Sequence, residues 1–280
     1  MEVSSEILAL VRQLKPIDDI MFRKMAEDVP FCEELLRTIL EEPALTVVET
    51  IPQRSETNLK GRGVILDALC KLGDNRLVNI EVQQADDDNH QRRVRYNGAV
   101  LTTNITKPGT KFKQVPDVCV VFIAQFDIFG HNRAVYHVSR VVDETGEKVY
   151  NGFTEIYVNA SARDETSISR LMRLFLDSTS FSKEFPETSR VKHQYTETEE
   201  AEKIMCEIAE KIKAIGVKEG EKRGEKRGEK RGEERIKHQM AKALLKAGVS
   251  IDVIEITSGL TREQISAYIV NEDEEAPPIS

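Results

Sequence analysis

The sequence predicts a mixed α/β fold, a sheet flanked by helices, and three stretches carry that prediction. Val64 to Gln84 reads as a β-hairpin, because two runs rich in Val, Ile and Leu flank Gly73-Asp74-Asn75, residues that tolerate positive φ in a turn. Val118 to Ala124 is a continuous apolar run, as expected for a strand buried on both faces. Between them His90 to Ile105 begins basic and becomes apolar. A helix there serves as a crossover and returns the chain parallel to an earlier strand. The expected core order is helix, strand, strand, strand, helix, strand.

Size and composition bound the rest. At 280 residues the chain has room for one substantial α/β domain and an appendage. A hydrophobic content of 40% and a charged content of 31% describe a polar-surfaced globular protein. The net charge of -8 and pI near 5.4 argue against a protein that coats nucleic acid by charge alone. A locally acidic site with basic contacts confined to one helix stays open. Cys32, Cys70, Cys119 and Cys206 form no CxxC pair and suit a reducing compartment, and the five histidines have no ligand spacing, so zinc is not expected. The opening residues lack a signal-peptide plan and no apolar run reaches the roughly 20 residues of a membrane span. A cytoplasmic location, with no membrane and no small-molecule cofactor, is the expectation.

Along the chain, residues 5 to 14 and 19 to 40 are expected to be helical, separated by Pro16, with Pro30 breaking the second. Asp18 and Asp19 at its start suit capping of the free N–H groups. Alternatively, Asp19 adds an acid to a site from the helix beneath it. Thr46 to Ile51 is a short strand, and Lys60 and Arg62 lie in the polar loop that follows, either solvated or holding a phosphate.

The hairpin register can be counted. With Asp74 at the centre of a three-residue loop, Leu72 pairs with Arg76 and Asp67 falls opposite Glu81. At period two, Val64, Leu66, Ala68, Cys70 and Leu72 share an apolar face with Val78, Ile80 and Val82. The other face gathers Asp67, Lys71, Asn79, Glu81 and Gln83. Opposed side chains sit roughly 5 Å apart at Cβ, and like charges there destabilise a sheet. Two readings follow: a solvated face, or a divalent metal such as Mg²⁺, which is usually held by one or two carboxylates with water and substrate phosphate completing its shell.

After an acidic turn at Ala85 to Asp88, Arg92, Arg93 and Arg95 stand at the start of the crossover helix, with Tyr96 one turn from Arg92 and Arg93. They either bind a phosphate backbone or balance the acidic turn. Tyr136 to Val142 and Phe153 to Val158 extend the sheet, Ser167 to Leu176 begins a helical region, and Thr196 to Ile215 continues it. The expected divisions are a domain over 1–195, a charged helix and tether over 196–232, a small helical unit over 233–270 and a disordered tail over 271–280. The tether contains GEKRGEKRGEKRG at Gly220 to Gly232, whose repeated glycine weakens a helix. In the helical unit Ala241, Leu244 and Leu245 form a stripe, Gly248 suits a C-cap and Thr261 to Gln264 matches a capping box. Its outline fits a DNA-reading helix-turn-helix, or helices that pack or mediate homo-oligomers.

The order of elements, with Asp67 on one strand and Glu81-Val82-Gln83 on the next, resembles the restriction-endonuclease-like PD-(D/E)XK superfamily. More narrowly, it is similar to the PD-(D/E)XK nuclease family transposases, the Rpn-type recombination-promoting group. The stretches that carry the likeness are PIDDIMFRKM at 16 to 25, VILDALCKLGDNRLVNIEVQQ at 64 to 84, RRVRYNGAVL through VPDVCVVFIAQFDIFG, and the repeat and tail beginning AKALLKAGVSIDVIEITSGLTREQI. The resemblance implies a mixed sheet with an αβββαβ core and Mg²⁺- or Mn²⁺-dependent hydrolysis of DNA. It implies that Asp67 and Glu81 bind the metal, that Asp19 is the N-terminal acid and that Gln83 takes the place of the superfamily's lysine. DNA would meet Lys60, Arg92, Arg93, Arg95 and Tyr96. Because an amide supplies no charge, a second metal, Lys71 or Lys60 would have to compensate, or catalysis is slow. The acid this group usually carries after RxRY is absent, with Thr102 near its place. The alternative is a weak or inactive DNA-binding or protein-interaction module that keeps the fold, while true transposition would require strand transfer.

Overall fold

The structure, a computed structural model, describes residues 13–56, 63–87, 89–196, 210, 232 and 234–266. They fall into two compact units that divide between residues 212 and 213. In the first, α1 (Asp19–Met25) and α2 (Val29–Leu40) are separate helices. Pro30 stands in the first turn of α2, where its missing N–H leaves no intrahelical bond unmade, and Asp28 caps that helix by accepting from Phe31 N at 2.9 Å. The proline therefore starts the second helix, and the break lies before it.

Next come β1 (Val47–Glu56), β2 (Val64–Leu72), β3 (Leu77–Gln83), α3 (His90–Ile105) and β4 (Val118–Ala124), in the predicted order. β5 (Val135–Val138), β6 (Arg140–Val141), β7 (Lys148–Val149) and β8 (Phe153–Asn159) follow, then α4 (Ser167–Phe175) and α5 (Pro186–Thr196). The main sheet runs β1-β2-β3-β4-β8-β5, with β3, β4 and β8 parallel and the outer pairings antiparallel. β1 is longer than expected and contains Pro52, which an edge strand tolerates. The β-rich stretch read at Tyr136 to Val142 divides between the sheet-edge strand β5 and the small β6–β7 pair.

The hairpin has the counted register: Ala68 pairs with Ile80, Cys70 with Val78 and Lys71 with Leu77, and Leu72 N donates to Arg76 O. Ala68, Cys70, Leu72, Val78, Ile80 and Val82 pack on Phe22, Phe31, Leu35 and Phe175 in the main core. Leu66 instead packs with Leu69, Leu101 and Val118 on the α3 side, with Val64 against them. The β2–β3 ladder ends at Ala68, and beyond it β2 follows β1 alone; Gln53 of β1, opposite Asp67, stands at φ +54°, and the period of two breaks there, so the first residues of β2 leave the counted face.

α3 lies close against the sheet because Gly98 has no side chain: a Cβ there would come within 2.2 Å of the Phe153 ring. β4 is buried along its whole length, as its apolar run requires. In the second unit, residues 234–246, Ile251–Ser258 and 262–266 are helical around Ala241, Ile254, Leu260 and Ile265. Gly248, at φ +77°, closes its helix with bonds from Gly248 N to Leu245 O and Val249 N to Leu244 O. Thr261 and Gln264 exchange the two bonds of a capping box. The helix expected over 5 to 14, most of Thr196 to Ile215, the Gly-Glu-Lys-Arg repeat and the tail lie outside the described residues.

Candidate functional site

Asp67 and Glu81 stand one step beyond the last paired residues, Ala68 and Ile80, where the antiparallel ladder opens. The opening leaves Val82 N–H without a strand carbonyl, and Asp67 Oδ2 accepts it at 3.0 Å. The acidic part of that face is not solvated. Asp67 is 1% exposed, while Asn79 and Glu81 are completely buried.

Two arginines enter the cluster from different helices. Arg23, on α1, donates to Asp67 Oδ1 through Nε at 3.1 Å and Nη2 at 2.8 Å, and pairs with Asp19 at 2.7 Å. Arg93, on α3, donates to Gln83 Oε1 at 2.7 Å and to Glu81 Oε2 at 3.2 Å. Asn79 Nδ2 holds the other Glu81 oxygen at 2.9 Å, yet Asn79 Oδ1 is buried with no hydrogen-bond partner. Gln83 is fixed at its nitrogen by Ala85 O at 2.9 Å and Asp87 Oδ1 at 3.3 Å. Gln84 Nε2 donates to Asp18 Oδ1, which ties the end of β3 to the start of α1.

The electrostatics are those of acids crowded together. Burial, and then the charge of Asp67, push the Glu81 carboxyl up to about 7, against the pull of Asn79 and Arg93. Asp19 is pushed up to about 7 by lost hydration and by Asp67, with Arg23 opposing, although nearly half of its side chain stays in water. Three carboxylates thus converge, and two arginines offset their charge in part. The capping expected of the first two acids does not occur: Asp18 makes no side-chain cap and instead accepts from Lys15 N, while Asp19 turns to Arg23 and Asp67.

The structure brings Asp19, Asp67, Glu81, Gln83 and Arg93 together. Arg92 and Arg95 are exposed on α3, and Tyr96 is half-buried there. Lys71 does not reach the site: it is exposed and pairs with Leu77 beside the turn, about 13 Å along β2 from Asp67. Lys60 and Arg62 lie outside the described residues. Thr102, in the place of the missing acid, bonds back to Gly98 O at 2.7 Å.

Arg23 went unread in the sequence, although its spacing four residues after Asp19 is the signal of an i,i+4 ion pair. His90 also went unread. It is 5% exposed, bonded to Asp86 at 3.0 Å and packed on Phe122 and Phe126.

Among the described residues no group of three His, Cys, Asp or Glu side chains is placed to hold a metal by itself. Mg²⁺ seldom asks for such a cage: one or two carboxylates with waters and substrate oxygens suffice. The oxygen-only donor set, its mutual repulsion and the unpartnered Asn79 Oδ1 suit a hard divalent cation at Asp67 and Glu81.

The family model described as a PD-(D/E)XK nuclease family transposase matches residues 18–238, well over half of the chain. No curated protein and no solved structure matches it. The six-stranded mixed sheet flanked by helices is consistent with the restriction-endonuclease-like fold of that family. The chain belongs to the PD-(D/E)XK nuclease family transposases.

Proposed function

We propose that this family member is a metal-dependent DNA endonuclease of the transposase-like, recombination-promoting type, with its reaction centre at Asp67 and Glu81. The observation that carries the reading is the convergence of Asp19, Asp67 and Glu81 at the opened end of the hairpin ladder, with an amide and two arginines around them. Burial and the neighbouring Asp67 hold two of these carboxyls, Asp19 and Glu81, above the ordinary carboxylate range, the pattern of acids gathered for a site.

Hydrolysis of a phosphodiester needs a water oxygen in line with the leaving oxygen and positive charge around the phosphoryl group. Asp67 and Glu81 would hold Mg²⁺ or Mn²⁺, which when bound supplies charge to the phosphoryl oxygens and makes water a better nucleophile. The new P–O bond forms as the bond to the leaving oxygen breaks; the attacking water gives up one proton to solvent and the leaving oxygen takes one up. Gln83, fixed on both sides of its amide, positions the water. It carries no charge, so the cation expected of lysine comes from Arg93, whose guanidinium stands at the tip of Gln83. Arg23 orients Asp67 from below, and Arg92, Arg95 and Tyr96 lead the DNA backbone along the start of α3.

A plasmid-nicking assay with Mg²⁺ or Mn²⁺ tests this. Wild type should nick, and Asp67→Ala should fall to background; equal residual cutting by the two would overturn the assignment. The second reading, a non-catalytic DNA-binding or interaction module, draws on the arginines that already pair with the acids. Calorimetry separates the two, since heat of Mg²⁺ or Mn²⁺ binding that disappears in Glu81→Ala belongs only to the first.

A further inference from the structure

The loop that follows α3 contains a feature the reaction centre does not use. Phe112 is 96% exposed, the largest value among the exposed large apolar side chains of the described residues. It is also held in place. A short 3₁₀ turn spans Phe112–Gln114, closed by Gln114 N to Lys111 O at 2.8 Å, with Val115 N to Phe112 O at 3.2 Å after it and Thr110 N to Lys107 O at 3.1 Å before it. The backbone therefore presents an aromatic ring to water on an ordered turn, which gains nothing for the fold.

The residues that flank Phe112 along the chain are basic. Lys107, Lys111 and Lys113 are exposed, and none pairs with an acid among the described residues. Although the chain carries a net charge of -8, residues 89–116 contain six bases (Arg92, Arg93, Arg95, Lys107, Lys111 and Lys113) and no acid. Along α3 the exposed positions 92, 95, 99 and 103 recur at helical spacing, so two arginines, a small residue and a hydroxyl lead from the reaction centre toward the loop. An apolar protein partner would call for apolar neighbours, whereas the exposed residues on either side of Phe112 are Lys111 and Lys113. An exposed aromatic ring flanked by exposed lysines is the chemistry of a single-stranded nucleic-acid contact, in which the ring stacks on a base and the ammonium groups meet phosphates.

We infer that Phe112, with Lys107, Lys111 and Lys113, forms a second nucleic-acid contact that stacks on an unpaired base, and that the preferred substrate is DNA with a single-stranded interval. The inference rests on the proposed nuclease reading and specifies its substrate. α3 sets the spacing. From Arg92 to Ile105 its axis runs about 20 Å at 1.5 Å per residue, roughly six base steps of 3.4 Å, and Phe112 follows in the loop beyond it, so the unpaired base lies several base steps from the cut phosphate.

The test is fluorescence anisotropy on the full chain in EDTA, using a labelled blunt duplex and the same duplex with a short central gap. Wild type should prefer the gapped DNA. Phe112→Ala should lower affinity for it roughly 5- to 150-fold and leave the blunt duplex within about twofold. Replacing Lys107, Lys111 and Lys113 by Gln should weaken both and reduce the salt slope by about 2 to 3. Phe112→Leu keeps bulk without the aromatic face and should resemble Phe112→Ala; an unchanged melting temperature for each variant keeps the reading on binding. Wild-type affinity of Phe112→Ala for gapped DNA overturns the inference, even if Asp67→Ala abolishes nicking and the nuclease reading stands. Phe112-dependent binding by a chain that cuts nothing keeps the inference and overturns the nuclease reading.

Discussion

Two buried charged regions of this protein look alike in burial and differ in satisfaction. Lys192, on α5, is 1% exposed, and its ammonium donates to Leu174 O at 3.0 Å, Asp177 O at 2.7 Å and Ser180 O at 2.6 Å. The Phe181 ring lies 5.6 Å away, and burial lowers the pKa to about 8. Leu174 O lies in the last turn of α4 and the other two carbonyls follow that helix, so one cation gathers backbone groups that would otherwise lack donors. Asp67 and Glu81 are as deeply buried, but they repel each other, and the amide beside them leaves an oxygen unpartnered. A buried charge with its partners complete holds a structure together. One held against its own ionisation stores free energy that a ligand or reaction can release.

If the acid cluster is functional rather than structural, the isosteric change Glu81→Gln should lower nicking by at least about 100-fold and still raise the melting temperature at pH 8. The sign follows from the raised carboxyl. An acid whose folded pKa lies above its unfolded value costs stability at pH above the folded value, about 7 here, and that cost vanishes as pH falls through 7 toward 4.5. The stability advantage of Glu81→Gln should accordingly be on the order of 1–3 kcal/mol at pH 8 and close to nothing near pH 4.5, read by urea titration at each pH. A variant less stable than wild type at pH 8 would put the acid cluster in the same class as Lys192.

Lys192→Met should behave in the opposite way. Leaving three carbonyls without their cation should cost about 3 kcal/mol by urea unfolding, while nicking per folded molecule is retained. Gly98→Ala should cost about 2 kcal/mol, because the added methyl meets the Phe153 ring, and it should weaken nicking as α3 and Arg93 move off the sheet. Smallest of all, Lys71→Ala should change stability by less than about 0.5 kcal/mol and nicking by less than about twofold, since that side chain is exposed beside the turn. A large nicking defect there would return Lys71 to the reaction centre.

Much of this was legible in the sequence because it is local. A three-residue turn and a period of two give the hairpin register, and hence the meeting of Asp67 and Glu81, without knowledge of any other element. The unbroken apolar run gives β4, the basic-then-apolar stretch from His90 to Ile105 gives the whole of α3, and Thr261-x-x-Gln264 gives its own capping box. The misread features sit at ends of elements. Pro30 starts a helix instead of ending one, and Val64 and Leu66 leave the counted face, because local rules do not say where a ladder stops.

Only the tertiary structure decided which cations serve those acids. Arg23 reaches Asp67 from 44 residues away and Arg93 reaches Glu81 from another helix, whereas Lys71, the nearer candidate in sequence, points to water. It likewise decided that the acid face is buried rather than solvated, since period two assigns a side to each residue but not what covers that side. Pairing within one hairpin is set by chain geometry over a few residues. The charge balance of a buried site depends on which helices pack across it, and that is a property of the whole fold.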